Sequence, residues 1–295
     1  MEGALRGAVE ALIGDKTGES SPVASATAVD GGCISAATMV ELADGRRFFV
    51  KSNADPLPGM FEREAEALSA LAEVGALRAP RPVGTAQTPL PLIVMEHIVK
   101  GAQGRDFSAR FGRGFAELHR RGRAERVGFE HDNYIGSTTQ PNGWNDSWVD
   151  FWRHKRLGHQ LGLARSNGYA DAEMSSLGDA LLERLDELIG AKSGFKPSLL
   201  HGDLWGGNYL CDEHGQPVLI DPASYYGHRE ADLAMTYCFG GFDHHFYEAY
   251  QETWPLEPGW RERVEVYKLY HFLNHLNLFG PSYRQNCLSI LHRFA

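Results

Sequence analysis

The sequence predicts an α+β chain of two lobes, a small β-rich one over residues 1–97 and a larger, mainly helical one over residues 98–295, with a cleft between them. Three observations lead there. Alternating hydrophobicity around Asp44-Gly45 reads as a hairpin, the run PLIVMEHI reads as a buried strand, and beyond Gly101 the apolar spacing is helical with one interruption.

Taken in order, residues 3–13 read as a short helix, followed by the hairpin VELADGRRFFVK. In its second strand Phe49 and Lys51 share one face, while Phe48 and Val50 share the other, because side chains alternate along a strand. Residues 59–74 carry Phe61, Leu68 and Leu71 on one helical stripe with Glu64 beside it. A proline-rich loop from Ala79 to Pro91 leads into the buried strand, and Gly101 and Gly104 offer a hinge. Helices are then expected near 106–121, 146–165, 171–190, 229–239, 243–252, 260–279 and 284–294. Short strands near 208–211 and 217–221 interrupt them.

A formal charge of −9 argues against a nucleic-acid surface, which needs clustered Lys and Arg to neutralise phosphates. No apolar run approaches the eighteen or so residues of a membrane span, and the N-terminus lacks a signal-peptide apolar core. Cys33, Cys211, Cys238 and Cys287 have no metal-like spacing and read as reduced thiols of a cytoplasmic protein.

The chemistry is concentrated in residues 199–235. Leu199-Leu200 delivers His201-Gly202-Asp203 from a buried edge into a loop. Asn208 follows before a short strand, and Asp221 ends the next one. If those strands pair antiparallel, the Asn208 amide oxygen and the Asp221 carboxylate converge as hard oxygen ligands for Mg²⁺. Asp203 then stands off as the acceptor of a hydroxyl proton, the base and metal set of protein-kinase-like phosphotransferases. Upstream, Gly31, Gly32 and Cys33 form a candidate phosphate loop, and Lys51 with Glu64 would orient the α- and β-phosphates of ATP. Glu62 and Glu66 compete with Glu64 for that role. Met95, Glu96 and His97 lie where main-chain groups would read the adenine edge.

The strings HGDLWGGN, IDPASYYGHREADLAM, FGGF and LYHFLNHLNLFG closely resemble the fructosamine-3-kinase (ketosamine-3-kinase) family, itself similar in fold to aminoglycoside and choline kinases. The resemblance implies a bilobal protein-kinase-like fold. It also implies ATP- and Mg²⁺-dependent phosphorylation of the 3-hydroxyl of a ketosamine, free or on a glycated protein lysine, whose unstable product releases the amine. It casts Asp203 as catalytic base, Asn208 and Asp221 as metal ligands, and Asp232 as the buried helix aspartate that holds the catalytic loop. His201 and His271 are expected as structural support. Trp205 would stack on the sugar or amine stem, and His275, on one helix stripe with His271 and Asn274, would touch substrate. Another hydroxyl substrate, such as an aminoglycoside, choline or amino sugar, is the alternative. The loop GGCIS departs from the wider G-x-G-x-x-G pattern and puts Cys33 beside the triphosphate. There a reactive thiol would link two otherwise monomeric copies.

Overall fold

The computed structural model of the chain describes residues 3–29, 35–191 and 194–295. It divides into two compact units, Met1–Gly104 together with Leu210–Asp221, and Arg105–Tyr209 together with Pro222–Ala295. The first boundary lies a few residues beyond the expected one at 97/98. A distant segment, 210–221, belongs to the first unit.

In the first unit α1 (Gly3–Thr17) precedes β1 (Val23–Val29), β2 (Ala36–Leu42) and β3 (Arg47–Ser52), then α2 (Met60–Val74), β4 (Pro82–Ala86) and β5 (Leu92–Glu96). The five strands form one antiparallel sheet in the order β1-β2-β3-β5-β4. The hairpin at Asp44-Gly45 forms as the alternation requires, and Val50 pairs with Val94 on the central strands. Phe48 and Val50 join Val40, Leu42, Leu92 and Val94 against Val9 and Ile13 of α1, forming the core of this unit. Two strands fall outside the expected β-β-α-β order. β1 is too polar in SATA to read as a strand, and β4 lies inside the proline-rich segment, where it forms a sheet edge of the kind that tolerates proline.

The second unit begins with α3 (Phe107–Arg121), followed by the hairpin β6 (Asn133–Ile135) and β7 (Thr138–Gln140). The helix expected over 146–165 is interrupted: α4 (Trp148–Phe151) passes into a π-helical turn, Trp152–Leu157, before α5 (Gly158–Ser166). The segment expected as one helix over 171–190 breaks at Arg184 into α6 (Ala172–Glu183) and α7 (Leu185–Ile189). Short strands β8 (Ser198–Leu200) and β11 (Tyr225–Gly227) pair in this unit, whereas β9 (Tyr209–Cys211) and β10 (Pro217–Leu219), which lie between them in the chain, pair within the segment that belongs to the first unit. Helices α8 (Arg229–Thr236), α9 (His244–Thr253), α10 (Trp260–Phe279) and α11 (Arg284–Phe294) complete the chain.

Two aromatic-rich helices pack on each other. Phe111 of α3 meets Phe246 of α9 edge to face at 5.3 Å, and Gly112 lets the backbones touch, since a Cβ there would stand 2.0 Å from the Phe246 carbonyl oxygen. Among the described residues no helix is long and apolar enough to cross a membrane.

Candidate active site

The first unit contributes a cation held between two acids. Lys51, on the face of β3 opposite Phe48, places Nζ 2.5 Å from Glu64 Oε1 of α2 and 2.5 Å from Asp221 Oδ1. Burial alone would lower the Lys51 pKa, but the two carboxylates outweigh it and raise it, so the ammonium stays charged. Glu64 is shifted upward by its burial, with Lys51 opposing. The rival acids have other partners: Glu62 accepts from Gln87 Nε2, and Glu66 pairs with Arg63.

Asp221 is the non-glycine residue with positive φ, 53°, among the described residues. That conformation is uncommon outside glycine. Its strand is tied to the rest of the unit by Arg78, whose carbonyl accepts from Leu219 N–H at 2.8 Å. The Arg78 guanidinium grips Asp212 at 2.7 Å and Glu96 at 2.6 Å. Glu96, expected among adenine-reading groups, thus has its carboxylate on Arg78 and its N–H on the Arg81 carbonyl. Met95 is paired in the sheet with Phe49, and His97 follows the strand end. Gly31, Gly32 and Cys33 lie outside the described residues, and with them the expected phosphate loop and thiol-linked pairing.

The second unit holds the loop that carries Asp203 by its backbone. Asp232 on α8, fully buried, accepts from His201 N–H at 2.7 Å and Gly202 N–H at 2.8 Å. His119 of α3 places Nε2 3.1 Å from the same carboxylate, and its Nδ1 lies 2.8 Å from the Tyr250 hydroxyl. Burial would raise the Asp232 pKa, but the His119 contact, the nearby His201 and the Gly202 N–H together hold it below the ordinary value. Gly202 has φ +85° and lies so close to the Ala223 carbonyl oxygen that a Cβ would sit 2.0 Å away, so no larger residue fits between His201 and Asp203.

Within the loop the Asn208 side-chain amide donates to the Asp203 carbonyl at 2.9 Å and to Asp203 Oδ2 at 3.1 Å. This fixes which side of Asn208 presents nitrogen to Asp203. Trp205, expected to meet substrate, is 41% exposed, a large aromatic surface turned outward two residues from Asp203.

Of the polar stripe on α10, Asn274 is buried in the core, accepting from Gln160 at 3.0 Å. His271 is buried on α10, the helix that packs against the one carrying Asp232. His275 is partly buried, its Nδ1 2.9 Å from the His271 carbonyl oxygen and its ring 4.2 Å from Phe239.

A second layer of support has no sequence signal. Gln140 donates to the Ala223 carbonyl at 3.0 Å and Asn133 to the Ser224 carbonyl at 2.8 Å, fixing the backbone just after Asp221-Pro222. Arg156, wholly buried in the π-turn, donates to Pro141 O and Asn142 Oδ1 and lies 4.0 Å from the Tyr225 ring centre. π-Turns concentrate at such functional positions.

Three buried histidines make this unit acid-sensitive. Burial lowers the pKa of His119, and holds His228 and His271 at about 3. A histidine whose folded pKa is depressed binds its proton in the unfolded chain first, so stability is complete above pH of about 6.5 and falls as pH drops. His228 and His271 together contribute a slope of roughly 3 kcal/mol per pH unit below that point, with His119 adding in the same direction. Chemical denaturation between pH 7.5 and 5 checks this; a flat profile would mean that these rings take up protons in the folded protein.

A family model for fructosamine kinases matches residues 6–295. The chain is 42% identical over 277 residues to protein-ribulosamine 3-kinase, chloroplastic, of Arabidopsis thaliana, covering 93% of this chain and 83% of that one. Among solved structures it superimposes with TM-score 0.86 on a Thermobifida fusca protein named "putative fructosamine-3-kinase", at 33% identity and covering 96% of this chain and 97% of that one. An aminoglycoside phosphotransferase in complex with AMP-PNP and hygromycin B gives TM-score 0.60 at 13% identity, covering 97% and 98%, which is a likeness of fold alone. The fold is therefore protein-kinase-like, and the chain belongs to the fructosamine kinase family of ATP-dependent kinases.

Proposed function

We propose that the protein transfers the γ-phosphoryl group of ATP to the 3-hydroxyl of a ketosamine, free or on a glycated protein lysine, and so starts the release of the sugar. Family membership along nearly the whole chain carries this reading, and the Arabidopsis relative's name, a protein-ribulosamine kinase, points to the substrate class. The pairings Lys51–Glu64 and Asp203–Asn208 support the individual roles.

In this mechanism Asp203 accepts the proton of the attacking hydroxyl, its carboxylate oriented by the Asn208 amide. Lys51, kept charged and aimed by Glu64, contacts the α- and β-phosphates. Asn208 and Asp221 would hold Mg²⁺, which neutralises the charge of the transferring phosphates. Main-chain groups of Met95 to His97 read adenine, with the Glu96 N–H already occupied within the sheet. Trp205 and His275 would meet the sugar and its amine stem. Most of the rate gain is positioning and charge neutralisation, because phosphoryl transfer leaves little covalent work for side chains. The cysteines described, Cys211, Cys238 and Cys287, are unbridged, in keeping with a reducing, cytoplasm-like compartment.

The test is ADP release from Mg-ATP with fructosamine-, ribulosamine- and erythrulosamine-lysine and one aminoglycoside. Turnover on at least one ketosamine and none on the aminoglycoside is expected, and the ranking names the preferred sugar. Turnover on the aminoglycoside alone would sink the substrate assignment.

A further inference from the structure

The first unit contains a cavity that the phosphotransfer chemistry does not use. It has a volume of about 650 Å³, within the range of small-molecule sites, and lies between the end of α2 and the β3, β4 and β5 strands. Phe48 and Glu96, cross-strand partners on β3 and β5, both line it. Lys51, Glu64 and Asp221 are not among its walls, and Glu96 is the residue it shares with the adenine-reading stretch proposed above, so the cavity is separate from the nucleotide-orienting lysine.

Its walls combine two chemistries. Phe48, Ala72, Ala76, Leu77, Pro82 and Val83 supply an apolar surface. Arg47, Arg78 and Arg81 supply three guanidiniums against a single lining carboxylate, Glu96. That carboxylate is already neutralised, with Oε1 on Arg78 at 2.6 Å and Oε2 3.3 Å from the Arg81 backbone nitrogen. Arg78 is committed to Glu96 and Asp212 and has no fork left to offer. Arg47 uses only Nε, on Glu41 at 2.8 Å, and Arg81 is exposed with no ion pair among the described residues. A chain of net charge −9 therefore keeps an apolar recess rimmed by two guanidiniums that still have donors to give.

We propose that this cavity is a second ligand site, for a small organic anion: a compact apolar ring seated on the Ala76–Val83 wall, with a phosphate or carboxylate on Arg81 and Arg47. Guanidinium forks match both anions bidentately, and the apolar wall excludes a bare inorganic ion as the best occupant. The site is independent of the ketosamine assignment, and either can fail alone.

The test uses phenyl phosphate and benzoate as probes, with inorganic phosphate and benzyl alcohol as controls, followed by calorimetry or ligand-observed NMR on the full chain. One or both ring anions should bind at least about tenfold more tightly than either control, and the stronger of the two names the head group. Binding should persist under saturating AMP-PNP. Arg81→Ala should weaken it about tenfold, and Ala76→Trp, which fills the recess, should remove it. Unchanged AMP-PNP affinity in each variant shows that the fold is intact, and Arg81→Ala carries the test if the tryptophan disturbs packing. Absence of saturable binding up to about 10 mM, displacement by AMP-PNP, or full affinity in Arg81→Ala would each overturn the proposal.

Discussion

Asp203→Asn is expected to leave no measurable phosphoryl transfer while nucleotide binding persists. The substitution preserves shape and an oxygen that can still accept from Asn208, now 3.1 Å from Oδ2, so the loop has no reason to move. It removes basicity, because an amide cannot take the hydroxyl proton. Losing a positioned general base costs roughly 10²–10⁴ in rate. In the proposed mechanism the nucleotide is held instead by Lys51, whose ion pairs with Glu64 and Asp221 involve no atom of Asp203. Initial-rate ADP release alongside an AMP-PNP isotherm separates the two effects. A variant keeping more than about a tenth of the wild-type rate would move the base to another residue.

Asp232→Ala should be the most damaging change away from the reacting atoms. It strips a buried acceptor from His201 N–H, Gly202 N–H and the His119 ring together. Each orphaned buried donor costs about 1–3 kcal/mol, and rearrangement recovers part of that, so a loss of about 3–5 kcal/mol is expected. Against total stabilities of about 5–15 kcal/mol, such a protein is marginal and its catalytic loop unpinned. Asp232→Asn keeps one acceptor oxygen and should fall between the two. Urea midpoints for the three proteins, with kcat on the best ketosamine, give the comparison. An alanine variant within 1 kcal/mol of wild type, on the order of one surface contact, would mean that the loop is held by something other than Asp232.

The parts of the site that were legible in the sequence are those in which chemistry dictates both residue type and spacing. Lys51 and Glu64 could be paired because strand alternation and helical period each choose a face, and the structure joins these two and gives Glu62 and Glu66 other partners. The long helices followed from their apolar stripes. What could not be read depends on distant partners. His119 ends a helix as one more polar residue in LHRR, and only the fold brings it to Asp232. Arg156, within HKRL, looks like a solvated face, yet a π-turn rotates it inward among carbonyls and aromatic rings. Helical periodicity assumes 3.6 residues per turn and cannot anticipate that rotation. β1 and β4 were missed for a related reason, since edge strands need little hydrophobicity and local composition barely marks them.

The discontinuity of the first unit has a consequence for how the chain is made. Residues 1–104 leave the ribosome long before residues 210–221, yet their unit needs the later segment. Gly101 N–H waits for the Cys211 carbonyl, Arg78 for Asp212 and the Leu219 N–H, and Lys51 for Asp221. Until Asp221 is translated, Lys51 has one counter-ion instead of two and the Arg78 guanidinium half its acceptors. The usual order, in which the N-terminal body finishes first during synthesis, is therefore suspended here. The first unit stays incomplete while everything from Arg105 to Tyr209 is added.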